Sequence, residues 1–390
     1  MSGGALHETG RPRATRFYHP ELDVLRFAAF AVVFFHHVVS MSASRFVEHG
    51  VPQWASVWLA ALGRAGASGV DLFFLLSSFL ITELLLRERE TLGKIDVPAF
   101  YYRRLLRIWP LYFAFLSFAL WIVPHWLPDE YVSRGYALSF AFFVGNWACA
   151  LGGFPSSVAG LLWSVSVEEQ FYAVWPWLLR LLGGRLGLLP LPMMVVALVT
   201  RLYLTNKGAV EPAIWCNTLA RLDPIALGAL LCLTLRKSSW APRPRMRALL
   251  CALGVGLVLV GARFAPAFEL VGGPISDRWF ALTCSALVYP VISLGCGFVL
   301  ASAYQVAGRV SAVLAWAPLV YLGRISYGLY VVHIFAIHAA RALFGSYVIQ
   351  VGFAFALTLA LASASYALIE RPFLRLKERR FARVPSRSGG

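Results

Sequence analysis

Asp23-Val-Leu-Arg26-Phe-Ala-Ala-Phe-Ala-Val-Val-Phe-Phe-His36-His37-Val-Val-Ser40 opens the first long apolar run of the chain. The stretch is of the length that crosses a bilayer as helix, about 17–25 residues, yet it carries an arginine and two histidines. A helix rises about 1.5 Å and turns about 100° per residue. Eleven residues separate Arg26 from His37, which puts the two on nearly one face, roughly 16 Å apart, with His36 about 80° away. A charge at the centre of a membrane helix costs on the order of 2.5–3.5 kcal/mol, so such groups face a cavity or a partner. A titratable imidazole above a fixed cation, in hydrocarbon, is a candidate reaction site.

The rest of the chain has the same character. Hydrophobic residues make up 59% of 390 and charged residues 14%, with a mean hydropathy of +0.68. A soluble domain has about a quarter of its residues charged. Apolar runs fall near 24–42, 67–86, 108–127, 136–153, 160–182, 187–205, 218–235, 248–264, 279–303, 320–343 and 347–368. Both ends are basic, as are the stretches 87–107 and 236–247, and cytoplasmic loops carry the excess of Lys and Arg. Two cytoplasmic termini require an even number of crossings. The parity is met if 136–153, broken by Gly152-Gly153-Phe154-Pro155, lies re-entrant or flat on the outer side. The expectation is therefore an all-α polytopic membrane protein with about ten transmembrane helices and one re-entrant or interfacial segment. It is one membrane unit over residues 21–375, between disordered basic tails at 1–20 and 376–390. The run after Asp23 reads as an uncleaved signal anchor.

The net charge of +16 does not point to nucleic acid, because it is gathered in short clusters between apolar runs, where it meets anionic lipid. The six cysteines form no C-x-x-C pair and have no metal-ligand spacing, so they read as small buried hydrophobes and no metal is expected.

Polar residues inside the apolar runs are the candidates for chemistry. Asp71, in Gly69-Val-Asp71-Leu-Phe-Phe, is either a helix-start partner for the dipole or a carboxylate facing a cavity. Arg104 and Arg107 lie one helical turn apart; they serve either topology alone or, with Arg26, a cationic mouth that grips phosphate groups bidentately. Trp163-Ser-Val-Ser-Val-Glu168-Glu169-Gln-Phe-Tyr172 sets two carboxylates among aromatics, with Glu168 and Tyr172 on one face at i,i+4. That run is either an interfacial aromatic belt with a capping box or the source of a carboxylate that polarises the histidine. Ser326, Tyr330 and His333 share another helical face, which helix–helix hydrogen bonding would also explain. Glu370, before Arg371-Pro372, is expected to end the last span and pair with a nearby arginine.

Taken together and in order, these motifs resemble the acyltransferase-3 family of membrane O-acyltransferases. They are Leu22-Asp-Val-Leu-Arg26 with His37; Gly69-Val-Asp-Leu-Phe-Phe with Ser-Phe-Leu-Ile-Thr82; Arg104-x-x-Arg107-Ile-x-Pro110; Trp163 to Tyr172; Ile325-Ser-Tyr-x-x-Tyr-x-x-His333; and Ile369-Glu-Arg-Pro372. The family's usual Ser-Gly-Phe is Ser77-Ser78-Phe79 here, and His36 is an extra histidine. The resemblance implies ten transmembrane helices in a bacterial inner or plasma membrane. It also implies an acyl-CoA donor, often acetyl-CoA, and a hydroxyl acceptor on a polysaccharide, lipopolysaccharide, lipid-linked sugar or small molecule. On that basis Arg26, Arg104 and Arg107 hold the donor's phosphates. His37 acts as general base or transient acyl relay, Glu168 orients it, and Asp71 assists. His36, Trp163, Tyr172, Ser326, Tyr327 and His333 line the substrate pocket. A transporter or flippase would use the same buried charges as a translocation path, but the chain shows no internal repeat of the kind common in transporters.

Overall fold

The computed structural model describes residues 19–39, 43–48, 50–209, 211–238, 240–265 and 275–382. They are almost wholly helical, with no strand among the described residues. Local sequence sets the helix ends. Pro20 starts the helix Pro20–Val38, and Asp96 caps Val97–Trp121 by accepting from the Ala99 N–H at 3.0 Å. Gly93 stops Gly69–Leu92 with φ of 70°, a left-handed turn that glycine adopts at little cost.

Among the described residues, five helices are long and apolar enough to cross a membrane: Gln53–Leu92, Val97–Trp126, Pro244–Phe264, Arg278–Ala303 and Tyr347–Arg379. The number rises to seven if two bent pairs count as one span each. These are Val158–Leu188 with Pro190–Asn206, bent by 88°, and Ala317–Arg324 with Ser326–Leu343, bent by 70°. The expected ten crossings are thus not confirmed. The first helix has 19 residues but carries Glu21, Asp23 and Arg26, and Leu222–Lys237 has only 16. The expected re-entrant stretch is two eight-residue helices, Arg134–Ala141 and Gly145–Gly152, each too short to cross.

The expected tails at 1–18 and 383–390 lie outside the described residues. Residues 376–382, also expected in a tail, belong to the helix Arg371–Ala382. That helix continues the last span through a π turn at Tyr366–Glu370, so the span does not end at Glu370. No ion pair forms to Glu370 among the described residues, and its Oε1 is buried without a hydrogen-bond partner.

The first helix is central to the site. It packs against Gly69–Leu92, Ala317–Arg324 and Ser326–Leu343. Glycines permit close approaches to the first helix. A Cβ on Gly66 would lie 2.2 Å from the Val32 carbonyl oxygen, and one on Gly69 would lie 2.3 Å from that of Ala29. Small residues of this kind let membrane helices touch backbone to backbone. Two arginines are wholly buried in ion pairs elsewhere: Arg201 with Asp223, and Arg221 with Asp71 at 2.9 Å. Five of the six free cysteines are buried, and Cys251 is exposed.

Candidate active site

Two cavities meet inside the helix bundle. The first is a cleft of about 690 Å³ lined by Arg26, Ser77, Arg104, Arg107, Glu168, Tyr172, Ser326, Tyr327 and Tyr330, among others. It runs on into a vestibule of about 590 Å³, past the same three arginines and Tyr172 to Asp23 and His19. The second is a chamber of about 1630 Å³ that takes in His36, His37, His333, His338, Trp163, Trp215 and Glu211. Val70 and Tyr330 line both the cleft and the chamber.

The cleft is cationic because its arginines are poorly neutralised. Arg26 reaches Asp23 only at 3.9 Å. Neither Arg104 nor Arg107 has an ion pair among the described residues. The Arg104 guanidinium lies 5.6 Å from the Phe100 ring centre and 5.8 Å from that of Tyr172, and its Nε is buried without a hydrogen-bond partner. A guanidinium with an unused donor, on an aromatic shelf, is suited to a planar or tetrahedral oxyanion.

In the chamber, hydrogen bonds assign the histidine tautomers. A carbonyl oxygen only accepts, so each ring nitrogen beside one carries the proton. His36 Nδ1 donates to the Gly63 carbonyl and His37 Nδ1 to the Val33 carbonyl, both at 2.9 Å. His333 Nδ1 donates to the Tyr330 carbonyl at 2.6 Å, and its Nε2 lies 3.4 Å from His37 Nδ1. When neutral, His37 therefore carries its lone pair on Nε2. That is the form a general base requires.

The structure brings Arg26, Arg104, Arg107, Glu168, Tyr172, Ser326 and Tyr327 to the cleft, and His36, His37, His333 and Trp163 to the chamber. It does not bring Glu168 to His37. Glu168 Oε1 accepts from the Ser77 hydroxyl at 2.6 Å, so the groups that orient His37 are the Val33 carbonyl and His333. Asp71 stands apart from both cavities, in the first turn of its helix, bound to Arg221. Glu169 accepts from the Trp109 indole at 3.0 Å.

Sequence reading left four groups of the site without a role. Tyr330 bonds to the Ser164 hydroxyl at 2.7 Å and lies between the cavities. Ser77 holds Glu168. Glu211 accepts from the Tyr289 hydroxyl and the Trp215 N–H, both at 2.8 Å. His338 meets Glu130. The face shared by Ser326, Tyr330 and His333 pointed to the first; the other three depend on tertiary contacts. No group of three or more His, Cys, Asp or Glu side chains able to hold a metal occurs among the described residues.

A cationic cleft beside a chamber of imidazoles, inside an apolar helical bundle, is the site of a membrane group-transfer enzyme. A family model described as an acyltransferase domain matches residues 19–367, and the chain belongs to that acyltransferase-3 family, whose chemistry is O-acyl transfer. It is 27% identical over 402 residues to the O-acetyltransferase OatA of Staphylococcus aureus (strain NCTC 8325 / PS 47), covering 95% of this chain and 60% of that protein. To the putative peptidoglycan O-acetyltransferase YrhL of Bacillus subtilis (strain 168) it is 27% identical over 396 residues, covering 94% and 56%. To the peptidoglycan O-acetyltransferase OatA of Listeria monocytogenes it is 28% identical over 348 residues, covering 82% and 50%. The chain thus spans between half and three fifths of the length of these relatives. No solved structure matches it.

Proposed function

We propose that the protein moves an acyl group of acetyl size from a cytoplasmic acyl-CoA to a hydroxyl of a cell-envelope glycan or smaller acceptor in the chamber. The observation that carries this reading is the cleft with three arginines, two of them without ion pairs, opening onto the histidine chamber at Val70 and Tyr330. Arg26, Arg104 and Arg107 bind the donor's phosphates, and the thioester points toward that seam. The basic end of the bundle faces the cytoplasm, as the positive-inside rule favours, so the chamber opens on the opposite side. Relatives named for peptidoglycan O-acetylation support a glycan acceptor.

In the chemical step Nε2 of His37 takes the proton of the acceptor hydroxyl as its oxygen attacks the thioester carbonyl. The C–O bond forms, the C–S bond breaks, and the CoA thiolate leaves into the cleft. Hydrogen bonds through Nδ1 keep the imidazole in the productive tautomer. Glu168, held by Ser77, offsets part of the arginines' charge, and Asp71 with Arg221 holds the surrounding wall.

The test uses the full chain in lipid nanodiscs with acetyl-CoA and a panel of sugars, measuring free thiol and acylated product by mass spectrometry. General-base catalysis contributes about 10²–10⁴-fold, so His37→Ala should lose turnover by that factor while its melting temperature and donor affinity hold. Wild-type turnover in His37→Ala overturns the assignment. Acceptor movement across liposomes without release of CoA overturns the enzyme reading.

A further inference from the structure

Three of the four histidines that line the chamber rest on backbone carbonyls: His36, His37 and His333. His338 differs, because its Nδ1 bonds to Oε1 of Glu130. Glu130 is pinned at its other oxygen by the Val158 N–H at 2.6 Å. Its loop is tied down again one residue later, where the Tyr131 N–H donates to the Ser156 carbonyl at 2.7 Å. A carboxylate fixed on one ring nitrogen sets the tautomer, leaves the lone pair on Nε2 and stabilises the imidazolium once it forms.

His37 has no such support. Its neighbours are a carbonyl, the His333 imidazole, and Arg341, which donates to the His37 carbonyl at 3.2 Å. A proton taken up by His37 is therefore held unfavourably. Of the other ionisable groups lining the chamber, Arg64 is a cation, and Glu211 is already occupied by Tyr289 and Trp215. His338 is one third exposed, enough to exchange with water.

We propose that His338, positioned by Glu130, is a second acid–base group of the chamber, which receives the acceptor's proton from His37 and releases it to solution on that side. The inference rests on the acyl-transfer reading above. The balance is complete: the thiolate takes a proton from the cleft side as CoA leaves, and the acceptor's proton departs from the chamber side.

The experiment compares wild type, His37→Ala, His338→Ala and Glu130→Gln in nanodiscs, by release of CoA thiol from acetyl-CoA. His338→Ala should lose about 10²-fold in turnover with donor affinity within about twofold of wild type, and added imidazole should restore much of the loss. Glu130→Gln removes the charge that favours the imidazolium. It should lower turnover in the same direction as His338→Ala, with Glu130→Asp recovering part of the loss. Wild-type turnover in His338→Ala, loss that imidazole does not restore in protein that still binds donor, or wild-type turnover in Glu130→Gln overturns the proposal. If His338→Ala fails to fold, His338→Gln is judged by the same criteria. A wild-type protein that releases no CoA sinks the acyl-transfer reading itself. A normal wild type and an impaired His37→Ala beside an unimpaired His338→Ala sink only the second group.

Discussion

Replacing Arg104 by glutamine tests the cationic character of the cleft directly. Arg104 has no ion pair to lose, so the substitution breaks no direct contact with a carboxylate. Its contacts with the Phe100 and Tyr172 rings, at 5.6 and 5.8 Å, are worth about 0.5–2 kcal/mol each, so the fold should persist. A charge-assisted hydrogen bond to a phosphate contributes about 1.5–3 kcal/mol net, and each 1.4 kcal/mol is tenfold in affinity. Arg104→Gln should therefore weaken acyl-CoA binding by about 10- to 150-fold. Arg104→Lys keeps the charge but not the two-pronged geometry, and should recover part of that. The assay is equilibrium binding of acetyl-CoA to the full chain in nanodiscs at two salt concentrations. A short thioester without phosphates serves as control. Wild-type affinity should fall with salt, and the variant's should fall less steeply. Binding of acetyl-CoA by Arg104→Gln within twofold of wild type would refute the reasoning, as would an equal loss for the phosphate-free thioester.

Two other substitutions probe the frame around the site. Gly69→Val puts carbon 2.3 Å from the Ala29 oxygen, forcing the first helix away; overpacking costs about 1–3 kcal/mol or more, read as a lower melting temperature together with lost turnover. Asp71→Ala leaves Arg221 charged and fully buried, which costs about 3–5 kcal/mol when one partner of a buried pair is removed. The double variant with Arg221→Met should regain much of that stability. If Asp71→Ala melts like wild type yet is inactive, Asp71 belongs to the chemistry after all.

Local patterns in the sequence carried much of this arrangement. The charges at Arg26, Arg104 and Arg107 were legible because apolar surroundings make each one costly, and the structure gathers them in one cleft. The face shared by Ser326, Tyr330 and His333 was legible from helical periodicity, and the structure turns it toward the two cavities. Partners distant in sequence were not legible. Asp71 and Arg221, Glu130 and His338, and Ser77 and Glu168 are each joined by packing that no local spacing encodes. Glu168 looked like a companion for His37 because both are polar groups in oil, but periodicity fixes a residue's face and not the neighbour it meets. The crossing count depended on apolar length alone, whereas bends, breaks and charged first turns decide how much of each run is a single straight helix.

An isopropyl group and a phenol ring, those of Val70 and Tyr330, line both the cleft and the chamber. On the proposed function the same two side chains would also keep the donor's side from the acceptor's side, so that ions do not leak between them. Trimming Tyr330 would then show up as current as well as lost catalysis, since the same ring would be both wall and doorway.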